Sequence, residues 1–297
     1  MKNPSNNPRS KSLPLKRDFK PAYILTIIVV VGMGALSLAG LITPNRFYPS
    51  EEFIQSYLVN DGINLILGIP ILLGSMWLTR RGKLVGLLFW PGALLYVLYN
   101  YIAYIFGLPF SLITFVYLAL VVLCGANIFV LLNFIDRKSV QQLLAGNVPV
   151  KFSGWVLVLF GVLFFIRAIG MLIEANTSQT SLAVSEIGVL IADMVLSVFM
   201  AGGGVLLLRQ MALGYASALG LLFAASTLFI GLIMVLLLGP VLIETSIVLT
   251  DVIVVFIMGL FCFIPFGLFV RGVVKLDAQR GPSALEYPEI EDIGKKH

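Results

Sequence analysis

Two oppositely charged side chains, Arg167 and Asp193, each interrupt a long apolar stretch of this sequence. If those stretches cross a lipid bilayer, each charge costs a few kcal/mol there and faces a protein interior, a partner or a water-filled cavity. The stretches are consecutive, so as antiparallel helices they bring both side chains to a similar depth. We therefore predict an intramembrane ion pair between Arg167 and Asp193. This ion pair either has a structural role or is interrupted by a substrate or proton during a transport cycle. Alternatively, Arg167 does not pair with Asp193 and its side chain extends outward toward Glu174.

Weak points at matched positions in two apolar segments predict a substrate site. Pro70 lies nine residues after Asp61, and Gly202 lies nine residues after Asp193. Proline removes a backbone hydrogen bond, and each glycine lowers helix stability by roughly 1 kcal/mol relative to alanine. The freed carbonyl groups need polar partners, and paired interrupted helices are a sequence indicator of a transport site. The alternative is that the small residues serve close helix packing.

These positions together predict a binding cavity. We expect Asp61 and Asp193 to flank it, the region of Pro70 and Gly202 to form its floor, and Asn64 to be a further polar residue of the site. Acidic side chains in a membrane cavity favour a small cationic solute or a proton as the ligand. The sequence therefore points to solute or ion transport as one function of the protein.

Several enzyme classes are excluded by residue counts. The only histidine is His297, the last residue, which rules out zinc chemistry of the HExxH type and a Ser-His-Asp triad. The two cysteines, Cys124 and Cys262, both lie in apolar runs and cannot build a cysteine-rich metal site. We therefore predict no catalytic residue, no metal site and no cofactor, and an intramembrane enzyme is the least favoured function.

The composition identifies the elements that must position these residues. Apolar residues make up 59% of the chain and charged residues only 12%, about half the share that is usual in a globular protein. The mean hydropathy is +1.00. A soluble domain of 297 residues could not cover such a core with so little charge. The chain is therefore predicted to be an all-α polytopic membrane protein.

Eight segments are long and apolar enough to cross a bilayer, which takes roughly 20 residues per helix. The uncharged stretch 84–135 must hold two of them, and Gly107-Leu108-Pro109 is the expected break. The predicted spans are residues 23–42, 57–78, two within 84–135, 154–173, 184–208, 213–238 and 246–270. The connector segment 139–144 is predicted to form a short amphipathic helix, and Gly239-Pro240 to end the seventh span.

The distribution of charge predicts the orientation of the chain. With both termini cytoplasmic, 18 of the 20 Lys and Arg residues lie on that side or next to it, as the positive-inside rule requires. Eight of the 15 acidic residues lie on or near the other side. The basic balance therefore indicates contact with anionic membrane lipid and no nucleic acid partner. The expected location is the cell membrane.

Recurring residues predict two parallel repeats of four helices each. Asp61 and Asp193 are 132 positions apart, as are Gly107 and Gly239. Four spans return a chain to the same side, so a duplicated unit of four would repeat in parallel orientation. The predicted division is a basic cytoplasmic tail, a first repeat, a connector, a second repeat and a second tail, at residues 1–20, 21–135, 136–153, 154–271 and 272–297.

Four tyrosines, Tyr96, Tyr99, Tyr101 and Tyr104, crowd one half of the third span. Tyrosines are common where the bilayer meets water, since the ring is apolar and the hydroxyl is polar. We therefore predict that most of the four belong to such an interfacial belt, with substrate stacking as the alternative.

Two functions remain open at this point. The first is a small-solute or ion transporter with an outward-facing acidic cavity between the second and sixth spans. The second is a non-catalytic scaffold, sensory or assembly subunit, which would have a membrane-protein partner. The symmetry of the weak points favours the transporter, because packing alone does not require it.

Overall fold

The structure, a computed structural model, describes residues 13–16, 19–178, 182–243 and 248–280. These ranges are almost wholly helical and contain no β-strand. The helices are α1 (Lys20–Ile42), α2 (Pro44–Phe47), α3 (Glu51–Ile63), α4 (Ile69–Arg80), α5 (Leu84–Gly107), α6 (Leu112–Phe134), α7 (Arg137–Leu144), α8 (Val150–Ser178), α9 (Val184–Leu208), α10 (Ala212–Leu242) and α11 (Leu249–Arg280).

Within the described ranges eight helical segments are long and apolar enough to cross a membrane, which confirms the predicted class and number of spans. Seven are the single helices α1, α5, α6 and α8 to α11, and the second span combines α3 and α4. The predicted break at Gly107-Leu108-Pro109 is confirmed, because α5 ends at Gly107 and α6 begins at Leu112. The seventh span runs past the expected stop at Gly239-Pro240 to Leu242.

The second span is continuous rather than interrupted. One π-helical turn, Asn64–Gly68, joins α3 to α4, and Pro70 lies in the first turn of α4. The wider turn absorbs the local change in hydrogen bonding before the proline, which has no N–H to donate. The glycines at 202–204 likewise lie inside the unbroken helix α9. Neither predicted weak point ends its helix: the hydrogen-bonding pattern changes to a π-helical turn before Pro70, and α9 continues through the three glycines.

Helix α5 lies at the centre of the bundle. In its most apolar 18-residue window 89% of the residues are buried, whereas the other seven spans reach at most 44%. Helices α4, α6, α9 and α10 all pack against it. The crossing with α10 is closest at Gly92, where an added Cβ would lie 2.7 Å from the Gly220 Cα. The absence of side chains at both positions lets the two backbones touch.

Glycines of the fifth and sixth spans also serve close packing. An added Cβ on Gly204 would lie 2.8 Å from the carbonyl oxygen of Gly154 in α8. An added Cβ on Gly161 would lie 2.6 Å from the backbone nitrogen of Ala201 in α9. These contacts support close helix packing as the role of these glycines, which was the alternative to a substrate site.

The bundle has one strongly basic face and one acidic face. The basic face carries Arg80, Arg81, Lys83, Arg137, Lys138, Lys151, Arg209, Arg271 and Lys275, and the acidic face carries Glu51, Glu52, Glu174, Glu186 and Asp251. Both ends of the described chain lie at the basic face. There Leu15 pairs with Ile135, and Asp277 of α11 reaches the start of α5.

Two elements at the basic face connect the sequence halves. The amphipathic helix predicted at 139–144 is confirmed as α7, which buries Val140 and Leu144 and packs against α10. The second connection runs from the second half to the first: the Asp277 carboxylate of α11 accepts hydrogen bonds from the backbone N–H groups of Leu84 and Val85. The two four-helix repeats remain a prediction, since these contacts do not establish a duplication.

Candidate functional site

A cavity of about 580 Å³ lies in the half of the bundle toward the acidic face. Helices α3, α5 and α8 to α11 line it. Apart from Arg167 of α8, its wall on α8, α10 and α11 is apolar and includes Leu163, Leu232 and Met258, each about half exposed. The wall on α3, α5 and α9 is polar, with side chains Asn60, Tyr96, Tyr99, Asn100, Tyr104 and Asp193. The cavity is therefore suited to a ligand with both polar and apolar parts.

The predicted ion pair lies at this cavity. The Arg167 Nη1 atom is 2.5 Å from the Asp193 Oδ2 atom, and the Tyr99 hydroxyl donates to Asp193 Oδ1 at 2.9 Å. The Asp193 side chain is 3% exposed, whereas that of Arg167 is 51% exposed. The carboxylate is thus fixed between two donors, and the guanidinium is the partner that can leave. Arg167 pairs with Asp193 and not with Glu174.

Asp61 occupies a second, more enclosed site beside the cavity. Its carboxylate accepts a short hydrogen bond from the Tyr48 hydroxyl and one from the Tyr104 hydroxyl at 3.0 Å. Asn60 Nδ2 donates to the same Tyr104 hydroxyl at 3.2 Å. We call Asp61, Tyr48, Tyr104 and Asn60 the Asp61 cluster. Asp61 itself is 2% exposed and does not line the cavity, whereas Tyr104 and Asn60 do.

Neighbouring groups keep Tyr48 a neutral donor and leave it space. Burial, and then the Asp61 carboxylate, raises the pKa of the Tyr48 hydroxyl well above its ordinary value. Gly40 of α1 faces the hydrogen bond between Tyr48 and Asp61, and an added Cβ there would collide with both side chains. The connector after α1 is therefore held against α3 through a hydrogen bond that only glycine at position 40 permits.

Asn64 extends the polar network toward the basic face. Its Nδ2 atom donates to Ser37 Oγ of α1, and its Oδ1 atom accepts from Asn100 Nδ2 of α5, both at 3.4 Å. Asn64 is fully buried, and Asn100 lines the cavity. Of the predicted site residues, Asp193 is thus in the cavity wall, and Asp61 and Asn64 are one hydrogen bond behind it.

The predicted floor of the cavity is not made by the expected residues. Pro70 and Gly202 both lie on exposed faces of their helices, and neither lines the cavity. An added Cβ on Gly202 would meet no atom within 4 Å. Helical rotation explains the difference, because nine residues are two and a half turns and place the weak points on the opposite face from the acids.

The prediction of an interfacial belt is wrong for most of the tyrosines in α5. Tyr96, Tyr101 and Tyr104 are at most 2% exposed, and Tyr99 is bonded to Asp193. The reason is the central position of α5, which leaves no lipid-facing side for these rings. A signal was present in the sequence: Tyr96, Asn100 and Tyr104 recur every four residues and mark one polar face of an apolar helix. Tyr48 gave no such signal, since it reaches Asp61 from a connector.

Neither metal binding nor thiol chemistry is indicated by the described part of the chain. Within it no three His, Cys, Asp or Glu side chains lie close enough to hold a metal ion. Cys124 and Cys262 are both buried and free. The groups on which chemistry can depend are therefore the ion pair of Arg167 with Asp193 and the Asp61 cluster.

Comparison of the chain with family models, curated proteins and solved structures finds no match.

Proposed function

We propose that the protein is a transporter of small cationic solutes that bind in the cavity beside Asp193. The observation that carries this proposal is a cavity within the membrane-spanning bundle whose polar wall includes a buried carboxylate. Intramembrane ionisable residues commonly mark a substrate or ion pathway. A volume of about 580 Å³ is within the range of small-molecule sites.

Binding is expected to exchange one cation for another at Asp193. The carboxylate remains fixed by the Tyr99 hydroxyl while the half-exposed Arg167 side chain moves aside for the solute. A solute cation then occupies the place of the guanidinium, so the buried carboxylate never stays unpaired. The rings of Tyr96 and Tyr99 add cation–π attraction for an organic cation.

The acidic face is proposed to be the outer face of the membrane. The basic residues on the opposite face favour the cytoplasm under the positive-inside rule. The cavity then lies in the outer half of the bundle, from which solutes are proposed to enter it. Movement of the solute through the bundle requires a second conformation in which the cavity opens to the basic face.

Replacing Asp193 by asparagine is expected to lower saturable uptake at least tenfold. The probe is radiolabelled methylphenylpyridinium, a small aromatic cation with no titratable proton, and the protein is purified and reconstituted into liposomes. The amide removes the charge that recognises the cation, and a tenfold loss corresponds to about 1.4 kcal/mol of interaction. The measurement is the initial rate of uptake against concentration.

The matched control is Asp251→Asn, the same substitution at an exposed position in the first turn of α11. It is expected to leave uptake unchanged. Asp193→Asn protein that elutes as a single species and transports as fast as the wild type would contradict a role of this carboxylate in solute recognition. A wild-type protein that moves neither this probe nor other small organic cations would reject the proposed function itself.

A further inference from the structure

The Asp61 cluster has an unusual charge balance for a site inside a membrane bundle. The Tyr48 and Tyr104 hydroxyls donate to the carboxyl group, and Asn60 donates to Tyr104 behind it; none of the three side chains carries a positive charge. In the described part of the chain no Lys or Arg nitrogen lies within 4.0 Å of Asp61, whereas Asp193 is paired with Arg167. A buried carboxylate without a cation is costly, and the usual resolution is uptake of a proton.

The groups that face Asp61 come from every helix around it. They are Tyr48 from the connector after α1, Tyr57 from α3, Tyr101 and Tyr104 from α5, and Tyr117 from α6. All are tyrosines, which are neutral near physiological pH. The side chains of Ser37 and Asn60 complete the surroundings. The only carboxyl group in this set is therefore that of Asp61.

A hydrogen-bonded route joins this carboxyl to the cavity. Tyr104 lines the cavity and donates to Asp61, and Asn60 lines the cavity and donates to Tyr104. A proton can move along this route without opening the cluster. Tyr104 passes its hydroxyl proton to the Asp61 carboxylate and takes one from water in the cavity, so one new O–H bond forms for each that breaks.

We infer that Asp61 is a proton-binding site separate from the solute site at Asp193, and that the protein exchanges protons for the solute. This inference rests on the proposed function for its coupling step, but the proton site itself does not. Protonation removes the charge that Tyr48 and Tyr104 now bind. Because Tyr48 belongs to the connector after α1 and Tyr104 to the central helix α5, their bonds to Asp61 join the two elements. The proton thereby controls how firmly these elements are held together.

Proton binding is tested first without any solute. Infrared difference spectra of the purified protein in lipid nanodiscs are recorded while the pH is lowered, and the carbonyl stretch of protonated carboxyl groups is followed. Asp61→Asn is expected to remove one component of this band. Asp251→Asn, at an exposed position, is expected to leave that buried-site component in place. An unchanged band in folded Asp61→Asn protein would overturn the inference.

A second variant covers the case in which Asp61→Asn does not fold. Gly40→Ala adds one methyl group that collides with Asp61 and the Tyr48 hydroxyl, so their hydrogen bond must lengthen or break. Loss of one hydrogen bond to a carboxylate is equivalent to about one to two pH units. Because the bond stabilises the charged form, the midpoint of the band is expected to move to higher pH by that amount, and an unshifted midpoint would overturn the inference.

Coupling is tested in the liposome assay with methylphenylpyridinium. With a proton gradient, the wild type is expected to accumulate the probe, and Asp61→Asn is expected to lose this accumulation at least tenfold. Without a gradient, Asp61→Asn is expected to exchange external for internal probe within twofold of the wild-type rate, because the Asp193 site is intact. Loss of this exchange as well would overturn the assignment of separate sites. If the wild type moves no cation while the Asp61 band persists, the proposed function fails and the proton site stands.

Discussion

Replacing Gly92 by valine is expected to prevent stable assembly of the bundle. An added Cβ at Gly92 would lie 2.7 Å from both the carbonyl carbon and the Cα of Gly220, and the Gly220 oxygen is closer still. These are backbone atoms of α10, so no side chain can rotate to make room. Overpacking against backbone costs about 3 kcal/mol or more, enough to separate the central helix from its neighbour. The measurement is the yield of protein that elutes as a single species in detergent, together with its Tm.

The matched control for Gly92→Val is Gly202→Val. Both glycines lie inside helices that span the bundle, but an added Cβ at Gly202 would meet nothing within 4 Å. We expect near wild-type yield and Tm for Gly202→Val. Equal losses from both substitutions would show that valine in the helix, rather than the contact of α5 with α10, is responsible.

Replacing Asp277 by alanine is expected to lower the free energy of unfolding by about 3 kcal/mol or more. The Leu84 N–H donates to Oδ1 at 2.9 Å, and the Val85 N–H donates to Oδ2 at 3.2 Å. Hydrogen bonds to a charged group contribute about 1.5 to 3 kcal/mol each, and unpaired buried N–H groups add to the loss. The carboxylate also interacts favourably with the dipole at the start of α5. The check is the Tm in detergent of the variant and the wild type.

Two further substitutions distinguish the capping of the α5 N-terminus by Asp277 from a general effect of removing a negative charge. Asp277→Asn retains one carbonyl oxygen as an acceptor, so we expect about half of the destabilisation. Asp251→Ala removes an exposed carboxylate from the same helix and is expected to change the Tm little. A Tm for Asp277→Ala equal to that of Asp251→Ala would refute a capping role.

Hydropathy alone was sufficient to predict the number of spans and most of their limits. Each span is a long apolar run, and its ends are determined by charges or by glycine and proline. The sixth span was predicted at residues 184–208, which are the limits of α9. The ion pair of Arg167 with Asp193 was also predictable, because consecutive antiparallel helices fix the relative depth of their residues. These features depend only on local sequence and chain direction.

The arrangement of helices around α5 could not be derived in the same way. Hydropathy measures how well a helix suits lipid or a protein interior, and both environments are apolar. The burial of Tyr96, Tyr101 and Tyr104 therefore followed only from the packing. Tyr48 and Gly40 were missed for a related reason, since their contact with Asp61 joins separate elements. The sequence did partly indicate the central position of α5, because its mean hydropathy of 1.4 is the lowest of the eight spans.

Two backbone features recur in the first and second halves of the chain at an offset of 128 residues, whereas the acidic residues recur at an offset of 132. Gly82 and Gln210, 128 positions apart, both have positive φ angles, of 71° and 52°. Gly86 and Gly214, also 128 apart, both pack against the end of the preceding helix. The predicted repeat used an offset of 132, which matches Asp61 with Asp193. At an offset of 128, Asp61 is matched with Val189 and not with Asp193, so these backbone features do not support the predicted match of the two carboxyls.

The burial of α5 has a consequence for biogenesis. This helix is the least hydrophobic of the eight spans, and α9 and α10, which cover much of it, are synthesised later in the chain. On leaving the translocon, its tyrosines and Asn100 therefore face lipid or the insertion machinery until the second half of the protein arrives. We therefore expect a chain that ends before α9 to hold its third hydrophobic segment less stably in the membrane than the full chain does.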